Sequence, residues 1–274
     1  MLAYVAWPAP VTMGALCRRA RPLTSPSLIG PPVPALLDLA TAPEILDSAL
    51  GTMRIALEYL GTVAFAISGA VAAGRKRMDL VGAVVLACMV AIGGGTMRDV
   101  ILDVPVFWME SPSFLVVGAL TGVAVALLAR WHPPDRLERF RIVQASDAVG
   151  LAVFVVVGTG IAIDAGASLM VAAVLGILTG VGGGVIRDML ANDVPDVLRN
   201  GQFYATAALA GAASYTTLLW FDVPRTVVFW VPIVVILAVR FASIKFGWGV
   251  PTVGGKRVDV DAPHGHPDIG HYGG

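Results

Sequence analysis

The sequence is poor in charge and in cysteine. Only 14% of its 274 residues are charged while 57% are hydrophobic, and the mean hydropathy is +0.79, whereas soluble domains carry roughly 25% charged residues. The formal net charge is zero, so no basic surface suited to a nucleic acid is indicated. The two cysteines, Cys17 and Cys88, lie far apart and imply neither a disulfide framework nor a metal site. The composition predicts an all-α integral membrane protein.

Catalytic signatures are missing from the apolar segments. They contain no Ser-His pair, no HExxH motif and no paired catalytic aspartates. Histidine is concentrated in a tail rich in Gly and Pro, at His264, His266 and His271. We therefore expect no enzyme activity, no cofactor and no metal. Residues 246–274 are expected to be a disordered, solvated tail.

Long apolar runs fill the middle of the chain, and about 20 residues suffice to cross a bilayer. We predict seven spans, at residues 55–74, 79–102, 112–131, 145–164, 168–191, 202–221 and 225–243. Residues 1–52 are rich in proline and are expected to be a disordered leader. A secretory signal is not indicated, because Arg18, Arg19 and Arg21 follow the apolar run instead of preceding it. Met53 is an alternative start.

The short loops predict an orientation. With seven spans, the first, third and fifth loops share one side of the membrane with the C-terminus. That side holds most of the basic residues, namely Arg75, Lys76, Arg77, Arg136, Arg139, Arg141, Arg199, Arg240 and Lys245, against Arg54 and Arg225 on the other. The positive-inside rule places the N-terminus outside and the C-terminus in the cytoplasm. We expect a multi-pass protein of the inner, or plasma, membrane.

Two glycine triplets interrupt this apolar pattern. Gly93, Gly94 and Gly95 open GGGTMRD in the second span, and Gly182, Gly183 and Gly184 open GGGVIRD in the fifth. Glycine weakens a helix interior by about 1 kcal/mol relative to alanine. We expect the triplets to break or kink their helices and to expose carbonyl groups, which membrane proteins tolerate only against protein or a wet cavity. Close helix packing is the alternative.

An internal repeat connects the two triplets. Gly93 and Gly182 are 89 positions apart, and the same offset superimposes Phe65 on Phe154 and Trp131 on Trp220. Each unit holds three spans, so the second must enter the membrane from the opposite side, as in inverted repeats. We predict one repeat over residues 55–142, a second over 143–222, and an added seventh helix over 223–245.

Charged residues follow both triplets at the same offset, as Arg98 with Asp99 and Arg187 with Asp188. These residues are candidates for a position beside a transport pathway, since charge inside a membrane is costly. The alternative is an arginine at the interface paired with its neighbouring aspartate. Glu58 and Asp147, which the offset also superimposes, are expected at the interface because they lie near the starts of their predicted spans.

Two functions fit this pattern. A passive cation channel would use the exposed carbonyl groups with Asp99 and Asp188. A secondary transporter of a small zwitterion such as glycine would hold the carboxylate at half-helix N-termini and the ammonium group at carbonyl groups. The arginines fit the transporter better, because a fixed positive charge repels a cation unless it is paired or acts as a gate.

The motifs GGGTMRD and GGGVIRD, in two three-helix repeats before a seventh helix, resemble those of the bacterial trimeric intracellular cation channels. This family is also catalogued under a glycine-transporter domain name, and the resemblance covers about residues 55 to 245. It implies a homotrimer with one pore per protomer, lined by the second and fifth helices and conducting monovalent cations such as potassium. By position, the two glycine triplets are the kinks, and Arg98 and Arg187 lie near the pore.

Overall fold

The structure, a computed structural model, describes residues 42–131, 135–198 and 203–247. Within these ranges the protein has eight α-helices and one 3₁₀ turn. They are α1 (Ala42–Arg75), α2 (Leu80–Leu102), α3 (Phe107–Glu110), α4 (Ser113–Trp131), α5 (Arg136–Asp164), α6 (Leu169–Leu190), the 3₁₀ turn Asp196–Leu198, α7 (Ala205–Trp220) and α8 (Arg225–Phe246). The expectations for residues 1–41, Arg199, Trp248 and the histidine-rich tail concern positions outside the described residues.

Every apolar run predicted from the sequence is helical, and α1, α2, α4, α5, α6, α7 and α8 cover them in order. Six helices are long and apolar enough to cross a membrane, namely all of these except α7. Helix α7 has 16 residues, and at 1.5 Å per residue it is roughly 24 Å long, shorter than the roughly 30 Å hydrocarbon core. The described residues therefore form an all-helical membrane protein with six candidate spans.

Two helix starts differ from the prediction. Helix α1 begins at Ala42, so the expectation of a disordered leader is wrong for residues 42–52. Pro43 falls in the first helical turn, where proline is tolerated, and residues 44–52 contain no proline. Helix α5 begins at Arg136 and not at residue 145, because Asp135 and Glu138 form a capping box. The predicted loop residues Arg139 and Arg141 are therefore helical, and Arg139 donates to the carbonyl of Gly74 at the end of α1 (3.2 Å).

Helices α2 and α6 continue through their glycine triplets. Both are helical without a break, over Leu80–Leu102 and Leu169–Leu190, so the expected interruption of the helices is not found. The physical reason lies in packing, because the missing side chains let the two helix backbones meet, which offsets the low helix propensity of glycine. A bend without a break at these glycines stays a prediction.

Helices α1 and α5 run antiparallel. Arg54 in the first half of α1 pairs with Asp164 at the end of α5 (2.8 Å), while Arg139 near the start of α5 contacts the C-terminal end of α1. Between these ends, Gly61 faces the ring of Phe154 and Gly150 faces the ring of Phe65. The two rings stack with their centroids 5.3 Å apart. Each contact repeats the other with the partners exchanged at the 89-residue offset, as two-fold related contacts do.

We predict that Gly150→Ala lowers the melting temperature of the purified protein. The added methyl group would overlap the Phe65 ring, and overpacking of this kind costs about 1–3 kcal/mol. Gly74→Ala is the control, since nothing lies within 4 Å of a methyl group there. Equal melting temperatures for the two variants would contradict the stacked α1–α5 contact.

Candidate functional site: paired arginines at a glycine crossing

The centre of the site is the crossing of α2 and α6. A methyl group on Gly94 would overlap the carbonyl oxygen of Thr179, and one on Gly183 would lie 2.9 Å from the carbonyl oxygen of Val90. These contacts are also reciprocal, since Val90 and Gly94 correspond to Thr179 and Gly183 at the 89-residue offset. The middle glycine of each triplet therefore touches the backbone of the opposite helix.

The first glycines extend the same contact. Gly93 lies against the side chain of Ile186 and Gly182 lies against that of Met97. Met97 and Ile186 again correspond at the repeat offset. The middle glycines meet backbone atoms and the first glycines meet the ends of side chains, so the triplets have a packing role that is strictest at Gly94 and Gly183.

Just beyond this crossing, the Arg-Asp pair of α2 organises the turn that follows the helix. Asp99 accepts hydrogen bonds from Nε of Arg98 (2.8 Å) and from the backbone N–H of Phe107 (3.0 Å). Both members of the pair are buried. The chain reverses at Asp103 in the left-handed region (φ 54°), a conformation that Asp and Asn tolerate. The carboxylate therefore binds the returning chain, and the arginine neutralises the carboxylate.

The Arg-Asp pair of α6 builds the same turn. Asp188 accepts from Nε of Arg187 (2.8 Å) and from the backbone N–H of Asp196 (2.8 Å). Asn192 occupies the left-handed position (φ 53°). Because Phe107 and Asp196 correspond at the repeat offset, the motif has one local function in both halves. Both arginine side chains are buried in the protein, since Arg98 is 3% exposed and Arg187 is 1% exposed.

Arg187 has further partners on other elements. Its Nη1 donates to Oγ of Ser68 (2.8 Å) and to Oδ1 of Asp147 (2.7 Å), and its Nη2 contacts Oδ2 of Asp196 (3.3 Å). One guanidinium therefore joins α1, α5, α6 and the 3₁₀ turn. A buried charge is tolerated when it is paired and hydrogen-bonded in this way.

Asp147 is buried and not near a helix start. It is 1% exposed and lies about three turns inside α5, because α5 begins at Arg136 and not at residue 145. Its expected place at the membrane interface stays a prediction. The equivalent Glu58 lies on the first turns of the predicted span and pairs with Arg54 (3.3 Å).

Helix α8 adds a third buried arginine to Arg98 and Arg187 among the described residues. Arg240 is 1% exposed, although the sequence placed it among the basic residues of the cytoplasmic side. Its Nη2 lies 3.9 Å from Oδ2 of Asp147, and its Cζ lies 4.5 Å from the centroid of the Tyr204 ring. One turn later, Ser243 accepts a hydrogen bond from the backbone N–H of Phe203 (2.9 Å). Sequence reasoning missed these contacts because α8 has no counterpart in the repeat.

The third glycines face different groups in the two halves. Gly95 faces the Phe107 ring, which also lies 6.0 Å from Cζ of Arg98. Gly184 faces the hydroxyl group of Tyr204 and Oδ1 of Asp147. The α2 end of the crossing is therefore covered by an aromatic side chain and the α6 end by polar groups.

The charged residues form two clusters at opposite ends of the crossing. The α2-end cluster comprises Arg54, Arg98, Glu58, Asp99 and Asp164, and Glu58 interacts electrostatically with Arg98 and Asp99. The α6-end cluster comprises Arg187, Arg240, Asp147, Asp188 and Asp196. Each contains two arginines and three carboxylates. With all groups ionised, each cluster therefore carries a net charge of −1.

Comparison with known proteins agrees with this two-part arrangement. A family model described as Glycine transporter matches the chain twice, over residues 55–130 and 144–220. The chain belongs to this family. The inner membrane protein YadS of Escherichia coli K12 is 43% identical over 198 residues, covering 72% of this chain and 94% of YadS. The membrane protein YvgT of Bacillus subtilis is 33% identical over 203 residues, covering 71% and 94%.

Solved structures of the trimeric intracellular cation (TRIC) channels have the same fold as this member of the glycine transporter family. The Rhodobacter sphaeroides orthologue has a TM-score of 0.68 at 36% identity, covering 72% of this chain and all of that one. A prokaryotic TRIC channel crystallised in 0.5 M KCl has a TM-score of 0.67 at 28% identity, covering 73% and 99%. These matches confirm the resemblance drawn from GGGTMRD and GGGVIRD, and they point to a channel rather than an enzyme.

We predict that Gly94→Ala and Gly183→Ala each lower the thermal stability of this glycine transporter family member. The new methyl groups meet backbone carbonyl oxygens, which cannot rotate away as a side chain can, so a cost of about 1–3 kcal/mol or more is expected. Gly118→Ala on α4 is the matched control, since its methyl group would lie at an ordinary 3.7 Å from Ala91. Melting curves that do not separate Gly94→Ala from Gly118→Ala would contradict the backbone contact.

Proposed function

We propose that the protein is a homotrimeric channel for monovalent cations such as K⁺, with one pore per protomer beside the glycine triplets of α2 and α6. The observation that carries this proposal is the charge of the two clusters. Each has one more carboxylate than it has arginines, and the arginines are held by those carboxylates. A net charge of −1 at both ends of a path favours cations over anions.

The paired arginines also bear on the alternative, a transporter of glycine or a similar zwitterion. Such a transporter needs a positive group for the carboxylate of its substrate. Arg187 instead contacts Asp188, Asp147 and Asp196 of its own chain, and Arg98 contacts Asp99. A substrate carboxylate would have to displace these partners, which favours the channel.

The reciprocal contacts support an inverted repeat, with units at residues 55–142 and 143–222 and a seventh helix at 223–245. The antiparallel α1 and α5, and the matched pairs at the α2–α6 crossing, are what a pseudo-two-fold axis in the membrane plane produces. In this proposal α7, which is shorter than the hydrocarbon core, completes the seven spans by thinning the bilayer locally. Because Gly94 and Gly183 contact the opposite backbones, α2 and α6 must bend or separate there to let a hydrated cation pass.

The first functional test compares two substrates in proteoliposomes. We expect the purified protein to pass K⁺ and to leave labelled glycine outside. Asp188→Asn, which raises the charge of the α6-end cluster from −1 to zero, should lower the K⁺ flux several-fold. Asp222→Asn is the control, because Asp222 is exposed and lies outside both clusters. Glycine uptake without K⁺ flux would reject the channel in favour of the transporter.

The second test concerns orientation. The turn between α1 and α2 carries Arg75, Lys76 and Arg77, and Lys76 pairs with Asp193 in the turn after α6 (2.8 Å), so these turns share one side. The positive-inside rule assigns that side to the cytoplasm. A reporter active only in the cytoplasm should be active when fused after Lys245 and silent when fused at Asp222. The opposite pattern would reverse the proposed topology.

The third test concerns assembly. Cross-linking of the protein in lipid nanodiscs should trap a species of three chains, because the solved relatives with this fold are named as trimeric channels. The anticipated partners are therefore two further copies of the chain and membrane lipid. A species that stays monomeric or dimeric at every cross-linker concentration would contradict the trimer.

A further inference from the structure

The seventh helix contributes a buried charge that the repeat does not explain. Arg240 is 1% exposed and lies near the cytoplasmic end of α8 in the proposed topology. A buried arginine on an added helix would be costly if it only anchored that helix, since leucine or phenylalanine would pack as well without a charge. The groups around the guanidinium therefore indicate what the charge does.

The surroundings of Arg240 meet at Asp147. That carboxylate is shared, since Oδ1 binds Nη1 of Arg187 at 2.7 Å while Oδ2 lies 3.9 Å from Nη2 of Arg240. Oδ2 is buried, and no hydrogen bond to it is found within the described residues. The interaction of Oδ2 with Arg240 is therefore electrostatic, across a gap longer than a hydrogen bond. Tyr204, under the guanidinium face, fixes the arginine in this position.

We propose that Arg240 is a positioning residue that sets the charge of the α6-end cluster and holds Asp147 toward α6. The inference rests on the proposed cation channel. Without Arg240, Arg187 would face three carboxylates alone, and the cluster would carry −2 instead of −1. Asp147 would then bind Arg187 with both oxygens or turn toward the path. Helix α8 thereby adjusts the cation attraction at one end of the pore and leaves the α2 end unchanged.

The proposal makes the two ends of the pore electrically separable. Changing Arg240 alters the α6-end cluster only, because the α2-end cluster is formed by residues of α1, α2 and α5 that Arg240 does not contact among the described residues. The expected signature is thus a change in current rectification, which measures asymmetry between the ends. A residue that only stabilises the fold would alter the amount of folded protein and leave rectification as it is.

A charge cycle in planar bilayers tests this. In symmetric KCl, Arg240→Gln should raise the current that enters from the α6 end relative to the reverse current, by about two-fold or more, since a unit charge acts strongly at an effective dielectric of about 20. Asp147→Asn, which brings the cluster to zero, should shift the ratio the opposite way. The double variant restores −1 and should return the ratio to that of the wild type. Arg240→Lys keeps the charge and should stay close to wild type.

Two outcomes would overturn the inference. One is an unchanged rectification ratio in both single variants with normal folding. The other is that both single variants shift the rectification ratio in the same direction and the double variant shows the sum of the two shifts. If the wild type carries no current at all, the proposed channel fails. The inference is then tested by the melting temperatures of the wild type, Arg240→Gln, Asp147→Asn and the double variant. Coupling between Arg240 and Asp147 then predicts a double variant more stable than additive single effects, while strict additivity would refute it.

Discussion

The bundle depends on the backbone contact between α2 and α6 at Gly94 and Gly183. A side chain on either glycine would collide with a carbonyl oxygen of the opposite helix, so the two helices can cross at this distance only because both lack one. The Arg-Asp pair of each helix follows the crossing by about one turn. The aspartate of each pair then closes the turn after its helix through the N–H group of Phe107 or Asp196.

Neutralisation of the buried arginines follows from this arrangement. Arg98 and Arg187 cannot reach water from their positions, so carboxylates must accompany them. In each of the two clusters, three carboxylates accompany two arginines. With all groups ionised, each cluster is therefore slightly negative although it contains two arginines. In the proposed channel, this answers the objection that a fixed positive charge repels a cation.

The sequence predicted the helices better than it predicted the site. All seven apolar runs are helical, and the repeat offset links Arg98 to Arg187 and Phe65 to Phe154, since hydropathy and internal similarity are local signals. The depth of Asp147 within its helix was missed because a capping box at Asp135 starts α5 earlier than its apolar run. The unbroken helices at the triplets and the contact of Arg240 with Asp147 could not be predicted, because both depend on which helix lies opposite, and a single sequence does not contain that information.

The reversal potential of the wild-type protein in a KCl gradient across a planar bilayer tests the central claim most directly. The measurement depends on the sign of the net fixed charge along the path and not on any variant. If the arginines are neutralised by an excess of carboxylate, the reversal potential should lie close to the equilibrium potential of K⁺. A reversal potential near zero or displaced toward that of Cl⁻ would contradict the account, because the arginines would then dominate the path.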